Sequence, residues 1–574
     1  MGYFSNVNPD LLRLASLKAR YILELGCGTG AFARAYLARN PSALYTGVEL
    51  DPESAKIAQN VIPTLVLGDI ETNEVQEALS QARPEGGFDL LVIGDVLEHL
   101  RDPWATMAFL TRLVAPDGQA QICIPNAAHW SMLLGQLQGD WTYRDAGLLD
   151  RTHLRFFTRA TAAKMFEDAG WQINATLPRI FNRGTGEAVV NSFSQLKDWP
   201  DTVPALDAQT LRANLLPLQW VFSLSRAQEK KPIRVQAFGM QTEHDAMVEV
   251  RLSRPLEVLQ TTSQLRAHLT RGGRFSQMPQ GTDVAWFYRT HLGNPEWVKS
   301  FAAEGGLLLL DIDDHPRFLP NHPRDDFLTL RGVHAVTTST PHLADVVRHW
   351  NPEVHVIENA LLELPPPRAL KSDEADQRLH IVFAALNRTA DWTAQCHELA
   401  GYLQQNRSAF RATVLHDETI AQEIGDAIET RFVKMLKYKA YLELLQTADI
   451  VLMPLQDTAF NRAKSDLKLV ESLASEAVPV VSPVVAALSD IPPAHMVIAE
   501  AAQDWPEALA HFAANPDALR TQGKAGRDYI AENRLLAGQI DQRMRLLEDL
   551  RARQPALEIA RQARLEHWQK TRKI

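Results

Sequence analysis

The sequence contains few cysteines, no excess of basic residues and no long apolar segment. Its three cysteines, Cys27, Cys123 and Cys396, are too few for a disulfide framework or a cysteine-rich zinc site, and such sparse use is typical of a reducing compartment. A formal net charge of −10 argues against nucleic-acid or anionic-membrane partners. No uncharged run approaches the roughly 18 apolar residues that cross a bilayer, and the N-terminus lacks a basic-then-apolar signal pattern. We therefore expect a cytoplasmic protein without an integral membrane segment.

The composition and the apolar pattern indicate a large α/β protein. Of 574 residues, 45% are hydrophobic and 22% are charged, as in ordinary globular chains. At roughly 100–200 residues per domain, this length predicts three or four folding units. Short apolar runs alternate with amphipathic segments, which is typical of parallel sheets covered by helices on both faces. The first series of candidate strands is 21–25, 45–50, 64–68, 88–94 and 119–125, with 171–178 and 218–225 able to close the sheet.

The chain is predicted to contain one N-terminal module followed by two Rossmann-like lobes. A polar stretch that ends in proline, RAQEKKP at 226–232, marks the first boundary, and the proline-containing segment 361–377 separates two later series of strands. These later candidate strands are 233–238, 283–289, 306–312, 333–338 and 354–359, then 379–386, 410–416, 448–455 and 477–483. The predicted domains are 1–228, 233–372 and 373–535, followed by a charged helical tail at 536–574 that docks on the protein.

Acidic and glycine residues follow the first strands of the N-terminal module. The string ELGCGTG (24–30) stands between a strand and a helical segment, so its glycines allow the backbone to approach a ligand closely. About twenty residues later, Glu49 ends the second strand, where a carboxylate can accept both hydrogen bonds of a ribose diol. Asp69 ends the third strand, within reach of an adenine amino group. This arrangement predicts a nucleoside site.

The motifs ELGCGTG, VELDP, GDI and FDLLVIGDVLEHLRDP occur in the order seen in a known family. Over roughly residues 20–227 the chain resembles the class I S-adenosylmethionine (SAM)-dependent methyltransferases. The resemblance implies SAM as cofactor, with Glu49 on its ribose, Asp69 near its adenine and Asp95 closing the pocket. It also implies that the methionine portion is lined by Glu24, Gly26, Cys27, Gly28 and Gly30.

The methyl acceptor would bind near residues that follow the fifth strand. PNAAHW supplies His129, and GLLDRTHLRFFT supplies Asp150 and His153; the second string resembles a segment of methyltransferases that act on sugars and cell-surface glycans. His153 is the predicted general base, because a neutral imidazole titrates near pH 7. A buried structural histidine paired with Asp150 is the alternative interpretation. Glu98 and His99 form a second candidate pair near the mouth of the pocket.

A second group of polar residues follows the apolar segment ADIVLMPL in the C-terminal half. In KSDLKLVE, Ser465 and Asp466 are predicted to cap a helix whose N-terminal amides attract phosphate, and Lys464 and Lys468 add positive charge. Glu471 would lie two turns from Lys464 on the same face, in a position to bind a ribose diol. An ordinary charged surface helix is the alternative.

This half resembles the GT-B glycosyltransferases, especially bacterial relatives of family 4, over roughly residues 233–535. The resemblance rests on the two lobes and on KSDLKLVE before the strand AVPVV. It implies a nucleotide-sugar donor, with Lys464, Ser465 and Lys468 on the phosphates and Glu471 on the ribose. Asn387 and Arg388 would face the same cleft. Ala463 stands where the family has the first of two glutamates, so the sequence leaves a retaining or an inverting mechanism open.

Charged residues also end the very apolar strand LLLLDI in the first lobe. Asp313, Asp314 and His315 are compatible with a metal site, but helix dipoles and basic side chains usually stabilise the leaving diphosphate in GT-B enzymes. We therefore assign no metal and expect Asp314 to bind the acceptor or transfer a proton; a simple turn cap is the alternative. Arg289 and His291 are expected to line the same cleft.

The two resemblances together predict a bifunctional enzyme of bacterial surface or secreted glycan biosynthesis. It would transfer methyl groups from SAM and sugars from a nucleotide sugar to a glycan or lipid-linked glycan, with at most peripheral membrane association. The alternative is an active methyltransferase whose GT-B half only binds and presents glycan. The replacement at Ala463 favours this alternative, whereas the intact segment from Lys464 to Glu471 favours two activities.

Overall fold

The computed structural model describes most of the chain and divides it into two units. The described residues are 6–195, 207–226, 231–239, 246–272, 278–292, 295–319, 322–368, 376–384 and 388–571. The first unit comprises Met1–Pro232 and Thr261–Gln264, and the second comprises Ile233–Gln260 and Leu265–Ile574. Within the described ranges, no helix is both long enough and apolar enough to cross a membrane.

The first unit is built on a seven-stranded sheet with the strand order β3-β2-β1-β4-β5-β7-β6. Its strands are β1 (Tyr21–Leu25), β2 (Leu44–Glu49), β3 (Thr64–Leu67), β4 (Phe88–Gly94), β5 (Val114–Pro125), β6 (Gln172–Arg179) and β7 (Gln219–Ser225). β1 to β5 are parallel, whereas β7 runs antiparallel to both of its neighbours. The strands predicted for this module all coincide with these elements, which confirms a Rossmann-like α/β fold.

The helices of the first unit follow the strands in the crossover pattern that a parallel sheet requires. They are α1 (Pro9–Leu14), α2 (Ala31–Arg39), α3 (Pro52–Ala58), α4 (Asn73–Ala82), α5 (Pro103–Leu113), α6 (Trp130–Leu137), α7 (Arg159–Asp168), α8 (Arg183–Ser194) and α9 (Ala208–Leu215), with a 3₁₀ turn at Leu97–His99. The local sequence explains where α3 and α5 begin. Asp51 accepts a hydrogen bond from the backbone N–H of Ser54, and Asp102 accepts one from Ala105, each with proline at the first helical position.

The core of the first unit places polar residues at one edge of the sheet. Leu23 on β1 and Leu91 and Ile93 on β4 are fully buried in one apolar cluster with the covering helices. The parallel strands end together, so the residues at their carboxyl ends converge. Glu49 ends β2, and Asp95 directly follows β4.

The second unit contains two six-stranded sheets, ordered β13-β12-β11-β10-β8-β9 and β16-β15-β14-β17-β18-β19. The first comprises β8 (Ile233–Gly239), β9 (Leu265–Arg271), β10 (Val284–Tyr288), β11 (Leu307–Ile312), β12 (Ala335–Thr338) and β13 (Val354–Val356). The second comprises β14 (Leu379–Ala384), β15 (Phe410–Leu415), β16 (Thr430–Val433), β17 (Ile450–Met453), β18 (Val478–Val481) and β19 (Val497–Ile498). All recorded pairs are parallel.

The sequence analysis missed β9, β16 and β19. Each of them lies at an edge of its sheet, where a strand has only one paired neighbour and needs fewer apolar side chains. β9 reads LRAHLTR, and β19 has only two residues, so neither presents the apolar run that identified the central strands.

Helices connect and cover both sheets of the second unit. They are α10 (Ala246–Val248), α11 (Arg254–Gln260), α12 (Glu296–Ala303), α13 (Leu328–Gly332), α14 (Pro341–Arg348), α15 (Thr389–Gln395), α16 (Leu399–Gln405), α17 (Glu418–Gly425), α18 (Tyr438–Leu445), α19 (Ala459–Arg462), α20 (Leu467–Ala474), α21 (Pro483–Ala486), α22 (Asp504–Ala514), α23 (Pro516–Asn533), α24 (Leu536–Ala552) and α25 (Gln554–Thr571). A π-helical segment covers Glu249–Ser253, and 3₁₀ turns cover Pro316–Phe318, Pro323–Asp325 and Pro493–His495.

The C-terminal helices return to the first sheet of this unit. The backbone of Leu361, beyond β13, forms hydrogen bonds with the backbone of Arg534 and Leu536, so the two chain segments lie parallel to each other here. On α25, Glu558 lies 2.9 Å from the imidazole Nε2 of the fully buried His334. The charged tail is therefore packed along the protein rather than extended into solvent.

Candidate functional site

The turn between β1 and α2 requires glycine at specific positions. Gly26 has a φ of +70°, and a Cβ there would lie 2.4 Å from Cγ2 of Val96. Gly30 has a φ of +74°, and a Cβ there would lie 3.3 Å from Cα of Ala58. Any other residue would combine a strained backbone with steric overlap at position 26 and with a tight contact at position 30. The glycines thus keep a bare backbone surface at the end of β1.

This bare surface opens on a cavity of about 310 Å³. The lining residues are Asn6, Val7, Asn8, Leu11, Glu24, Gly26, Cys27, Gly28, Ala31, Phe32, Val92, Gly94, Asp95, Arg179 and Gln219. Five of the residues expected around the cofactor are among them: Glu24, Gly26, Cys27, Gly28 and Asp95. Gly30, Glu49 and Asp69 are not lining residues, so the cavity includes most of the residues expected at the methionine end and neither of the residues expected on the ribose and the adenine.

Glu24 is a buried acid in the cavity wall. Its Oε2 accepts a hydrogen bond of 2.8 Å from the hydroxyl of Tyr45. Burial raises the pKa of Glu24 to about 8, and the nearby Glu49 carboxylate acts in the same direction. The acid is therefore mostly protonated at neutral pH without a ligand, and a bound cation would favour its ionised form.

Glu49 holds the glycine turn in shape. Its Oε2 accepts a 2.6 Å hydrogen bond from the Gly28 N–H, and its Oε1 accepts bonds of 3.0 Å from the N–H groups of Leu50 and Asp51. Glu49 is 6% exposed. A carboxylate oxygen accepts two hydrogen bonds, so Oε2 can still accept one from a ligand hydroxyl. Its expected contact with ribose stays a prediction.

Asp69 makes contacts that the sequence did not indicate. Its Oδ2 forms an ion pair of 3.1 Å with Arg101, and its Oδ1 caps the backbone N–H of Glu71. Arg101 also binds the Glu71 carboxylate. Asp69 thus belongs to an exposed ion-pair group, and its contact with adenine stays a prediction.

Asp95 directly follows β4 and adopts a φ of +55°, in the left-handed region. Its Oδ1 accepts a hydrogen bond of 2.8 Å from Nε2 of Gln219 on β7. Burial raises the pKa of Asp95, while the positive charge of Arg179 opposes the shift. Asp95 therefore joins the cavity to β7, the strand between β5 and β6.

Glu98, His99 and His153 form a cluster beside Asp95. The backbone N–H groups of Leu154 and Arg155 donate to the Glu98 carbonyl at 2.8 and 3.0 Å, which fixes the later loop against the end of β4. The His99 and His153 ring centroids are 4.7 Å apart. One ligand atom from each of Glu98, His99 and His153 lies within 4.8 Å of the others.

The electrostatics of this cluster suit a proton acceptor or a cation. Glu98 is 1% exposed, and neither of its carboxylate oxygens has a hydrogen-bond partner among the described residues. Burial raises the pKa of Glu98 well above its ordinary value, with Asp95 adding to the shift. His153 Nδ1 donates to the Leu148 carbonyl at 3.1 Å, which leaves its Nε2 as an acceptor. A carboxylate and two imidazoles are also ligands that divalent cations accept, which the sequence analysis did not anticipate.

Two other candidates have local structural roles. Asp150 Oδ1 accepts hydrogen bonds from the N–H and hydroxyl of Thr152 at 2.9 and 2.7 Å, and the Asp150 carbonyl accepts one from the His153 backbone N–H at 3.0 Å, so Asp150 closes a turn. Within the described chain no hydrogen bond joins the Asp150 carboxylate to the His153 imidazole. His129 caps α6, because its Nδ1 accepts from the Ser131 N–H at 3.3 Å, and burial lowers its pKa to about 4. Asp150 and His153 are close enough to interact electrostatically, so their pairing stays a prediction, whereas His129 is not one of the three residues of the cluster.

The second unit contains a larger cavity of about 900 Å³. It is lined by Ala246, Glu249, Val250, Arg254, Arg271, Ala360, Leu361, Leu362, Glu363, Leu364, Pro365, Pro366, Lys437, Tyr438, Lys439, Leu442, Glu443, Gln446, Glu471, Ala474 and Ser475. Glu471 is 2% exposed, and its Oε1 has no hydrogen-bond partner in the described parts of the chain. Burial raises the pKa of Glu471 to about 7, although the neighbouring Tyr438, Lys468 and Tyr441 oppose the shift.

Lys464 and Arg388 lie in an adjacent group around Phe460. The Lys464 Nζ is 4.0 Å from the Phe460 ring centroid and forms an ion pair of 2.9 Å with Asp314, beyond the end of β11. The Arg388 guanidinium carbon lies 5.7 Å from the same ring centroid, and Arg388 pairs with Asp391 at 2.8 Å. Lys464, a predicted phosphate ligand, and Arg388, which was expected to face the same cleft, are thus each paired with a carboxylate.

The other residues predicted around the nucleotide-sugar donor do not form one group in the described structure. Lys468 donates to the Ala384 carbonyl. Asp466 precedes α20 but makes no side-chain cap; it pairs with the buried Arg534 instead, so the predicted cap is wrong. Ser465 is half-buried just before it. Asn387 lies outside the described residues.

Sequence reasoning missed residues that only tertiary contacts reveal. Tyr438 and Arg254 come from separate segments and meet Glu471 at the larger cavity. His291 Nε2 lies 2.5 Å from Asp325, whose other oxygen accepts from the Leu328 N–H at 3.2 Å. No motif linked these positions in the sequence, although His291 was expected near the cleft.

Comparison with known proteins identifies the N-terminal region. A family model described as "Methyltransferase domain" matches residues 4–176. A protein from Paracidovorax citrulli named ubiquinone biosynthesis O-methyltransferase is 30% identical over 170 residues, which cover 28% of this chain and 70% of that protein. Its namesake in Psychrobacter arcticus is 32% identical over 179 residues, covering 30% of this chain and 65% of the relative.

Solved structures give weaker similarities. A SAM-dependent methyltransferase from Archaeoglobus fulgidus covers 36% of this chain and 86% of its own length at 18% identity, with a TM-score of 0.25.

Proposed function

Because the chain belongs to the class I SAM-dependent methyltransferases through its N-terminal region, we propose that it methylates a hydroxyl group of a sugar or glycan. The cavity at the ends of β1 and β4 supports this proposal, since beside it lies the Glu98, His99 and His153 cluster, in which His153 Nε2 has no hydrogen-bond partner among the described residues. Asp95 connects the two, because it lines the cavity and interacts electrostatically with His153.

The residues of the first unit fit SAM. The glycine turn leaves room that a Cβ at Gly26 would fill, and Asn8 presents an unpartnered buried amide nitrogen. Glu24, Gly26, Gly28 and Asp95 would hold the methionine end, as their position in the cavity supports. When bound, SAM supplies an electrophilic methyl group on a sulfonium.

The chain itself must orient the acceptor and take its proton. His153 Nδ1 is engaged by the Leu148 carbonyl, so Nε2 is the atom available to accept the proton of an attacking hydroxyl. The loop that carries His153 is held by backbone bonds to Glu98, which restricts where the imidazole can lie. Positioning and proton removal are the contributions that methyl transfer to an alcohol needs.

For the second unit we propose glycosyl transfer from a nucleotide sugar, on a GT-B arrangement with lobes at 233–372 and 373–535. The observation that supports it is Glu471, a buried carboxylate in the wall of a cavity large enough for a nucleoside, whose Oε1 has no hydrogen-bond partner among the described residues. Lys464 and Arg388 are near enough to Lys468 to act on it electrostatically, so their positive charges can stabilise a leaving diphosphate. His291, oriented by Asp325, is suited to accept the acceptor proton.

The proposed acceptor of both reactions is a glycan or lipid-linked glycan at the cytoplasmic side, reached by at most peripheral membrane association. A second candidate is a methyltransferase whose other half only presents glycan. Ala463, which is fully buried where the family has a glutamate, favours this candidate.

Glycan analysis tests the methyltransferase proposal. Cells that lack the protein should lose O-methylated sugars from their surface or secreted glycans, and the wild-type gene should restore them, whereas a Glu49→Ala gene should not. Unchanged methylation in the deletion would refute a glycan acceptor.

Nucleotide binding tests the second half separately. Calorimetry of the full chain with UDP, GDP, dTDP and CMP should detect one binder, and Glu471→Ala with Lys468→Ala should abolish that binding while SAM still binds. If none of the four nucleotides binds, the glycosyltransferase proposal fails. Binding without release of sugar to a true acceptor would support the presenting role instead.

A further inference from the structure

The smaller cavity has one strongly basic lining residue in the described chain, Arg179 at the end of β6. The other charged lining residues are Glu24 and Asp95, both acidic. The amino-acid end of SAM carries an ammonium group and a carboxylate, so it needs partners of both signs. The acids suit the ammonium and sulfonium groups, which leaves the carboxylate for a basic partner.

Arg179 is held in a fixed orientation. Its Nε donates to Oδ2 of Asp10 at 3.2 Å, and its Nη1 donates to Oε1 of Gln219 at 2.5 Å. The Arg179 side chain is 17% exposed. Its Nη2 makes no hydrogen bond to any residue that the structure describes. A guanidinium anchored on two sides therefore presents unused donors beside the cavity.

Asn8 presents a second unused donor in the same cavity. Its Oδ1 caps α1, because it accepts hydrogen bonds from the N–H groups of Asp10 and Leu11 at 3.1 and 3.3 Å. This cap fixes the orientation of the side-chain amide. Its Nδ2 is buried and has no partner among the described residues. A buried donor without a partner is unfavourable unless a ligand satisfies it.

We propose that Asn8 and Arg179 together form the subsite that binds the α-carboxylate of SAM. The carboxylate accepts hydrogen bonds from the Asn8 amide and from the free edge of the guanidinium, while the acids of the cavity take the ammonium. Asp10 links the two donors, since it pairs with Arg179 and lies in the first turn that Asn8 caps. The N-terminal helix is therefore part of the cofactor site.

Decarboxylated SAM isolates the proposed contact, because it lacks only the carboxylate. By calorimetry with the full chain, the wild type should bind SAM about 10- to 100-fold more tightly than decarboxylated SAM. In Arg179→Gln this ratio should shrink to about 2 or less, because SAM alone loses affinity. Binding of 5′-methylthioadenosine, which lacks the whole amino-acid end, should be unchanged and shows that the pocket remains folded.

Asn8→Asp is the matched variant at the second donor. Aspartate keeps the oxygen that caps α1, but it replaces the donor nitrogen with an acceptor. SAM should bind more weakly, whereas decarboxylated SAM should bind at least as tightly as before. Arg34→Gln removes an exposed charge from α2, outside the cavity, and should leave both affinities unchanged.

Two outcomes would overturn the assignment. If the wild type binds both ligands equally, the carboxylate has no dedicated subsite. If Arg179→Gln weakens the binding of SAM and of decarboxylated SAM equally, or changes neither affinity, Arg179 does not bind the carboxylate. If the substitution weakens only the binding of the methyl acceptor, Arg179 binds an anionic group of that acceptor instead.

Discussion

The Nζ of Lys464 lies 2.9 and 3.0 Å from the two carboxylate oxygens of Asp314. This contact joins the loop before α20 to the end of β11 in the second unit. Arg289 also approaches Asp314 at 3.4 Å and is bound to Asp313. The Asp314 carboxylate is thus paired with Lys464, the same lysine that we propose as a ligand of the diphosphate.

Replacing this carboxylate should increase nucleotide affinity. In Asp314→Asn, Lys464 no longer has an ion pair that competes with diphosphate, and the affinity for the nucleoside diphosphate that binds should rise about 2- to 5-fold, as expected for one partly exposed pair. Calorimetry measures it. Asp345→Asn, which removes an exposed pair with Arg348 on α14, should change nothing. Lower affinity in Asp314→Asn would show that the aspartate assists binding instead.

Glu49 should matter for SAM through both its ligand contact and the turn that it holds. In Glu49→Gln, an amide group must face backbone N–H groups such as that of Gly28, so we expect SAM affinity to fall about 10- to 100-fold. Glu53→Gln, in the exposed first turn of α3, is the control. Equal SAM affinity in Glu49→Gln and the wild type would contradict the ribose contact and the role of the turn.

His153 should affect methyl transfer and not cofactor binding. His153→Asn removes the proposed base, so single-turnover transfer of a labelled methyl group to the acceptor should slow about 100-fold or more. The dissociation constant of SAM should stay the same. His129→Asn keeps a side chain suited to cap α6 and should retain the wild-type rate. A normal rate in His153→Asn would remove this histidine from the mechanism.

Glu24 should make the stability of the unliganded protein depend on pH. Burial raises its pKa from an ordinary 4.5 to about 8, so the native state keeps a proton that the unfolded chain releases. The resulting stabilisation is complete below pH 4.5 and is lost as pH rises towards 8, by at most about 1.4 kcal/mol per pH unit.

Glu24→Gln should flatten this dependence, because glutamine does not titrate. The transition of the first unit is the thermal transition whose midpoint rises when SAM is added. Its midpoint is then measured without SAM from pH 5 to 9 for the wild type, Glu24→Gln and the control Glu53→Gln. Parallel curves for the wild type and Glu24→Gln would show that Glu24 is ionised in the native state.

Much of the N-terminal fold could be predicted from the sequence, because its central strands are buried on both faces. FDLLVIG and YILEL are nearly continuous apolar runs, and such runs are visible without tertiary information. The motif order around Glu24 and Glu49 also placed polar residues at strand ends, where the parallel topology brings them together. The edge strands β9 and β16 lacked this signal and were missed.

The sequence by itself determined which central strands are buried, where the glycine turn lies and to which family the first unit belongs. These features depend on residue type within short segments. Tertiary structure decided which polar groups meet. Asp150 was the predicted alternative partner of His153, yet its carboxylate accepts hydrogen bonds from Thr152 and closes a turn. Asn8 and Arg179 are far apart in the chain and share a cavity only because β6 ends beside α1. Hydrogen bonds act over about 3 Å, so their partners are fixed by packing, which local sequence does not encode.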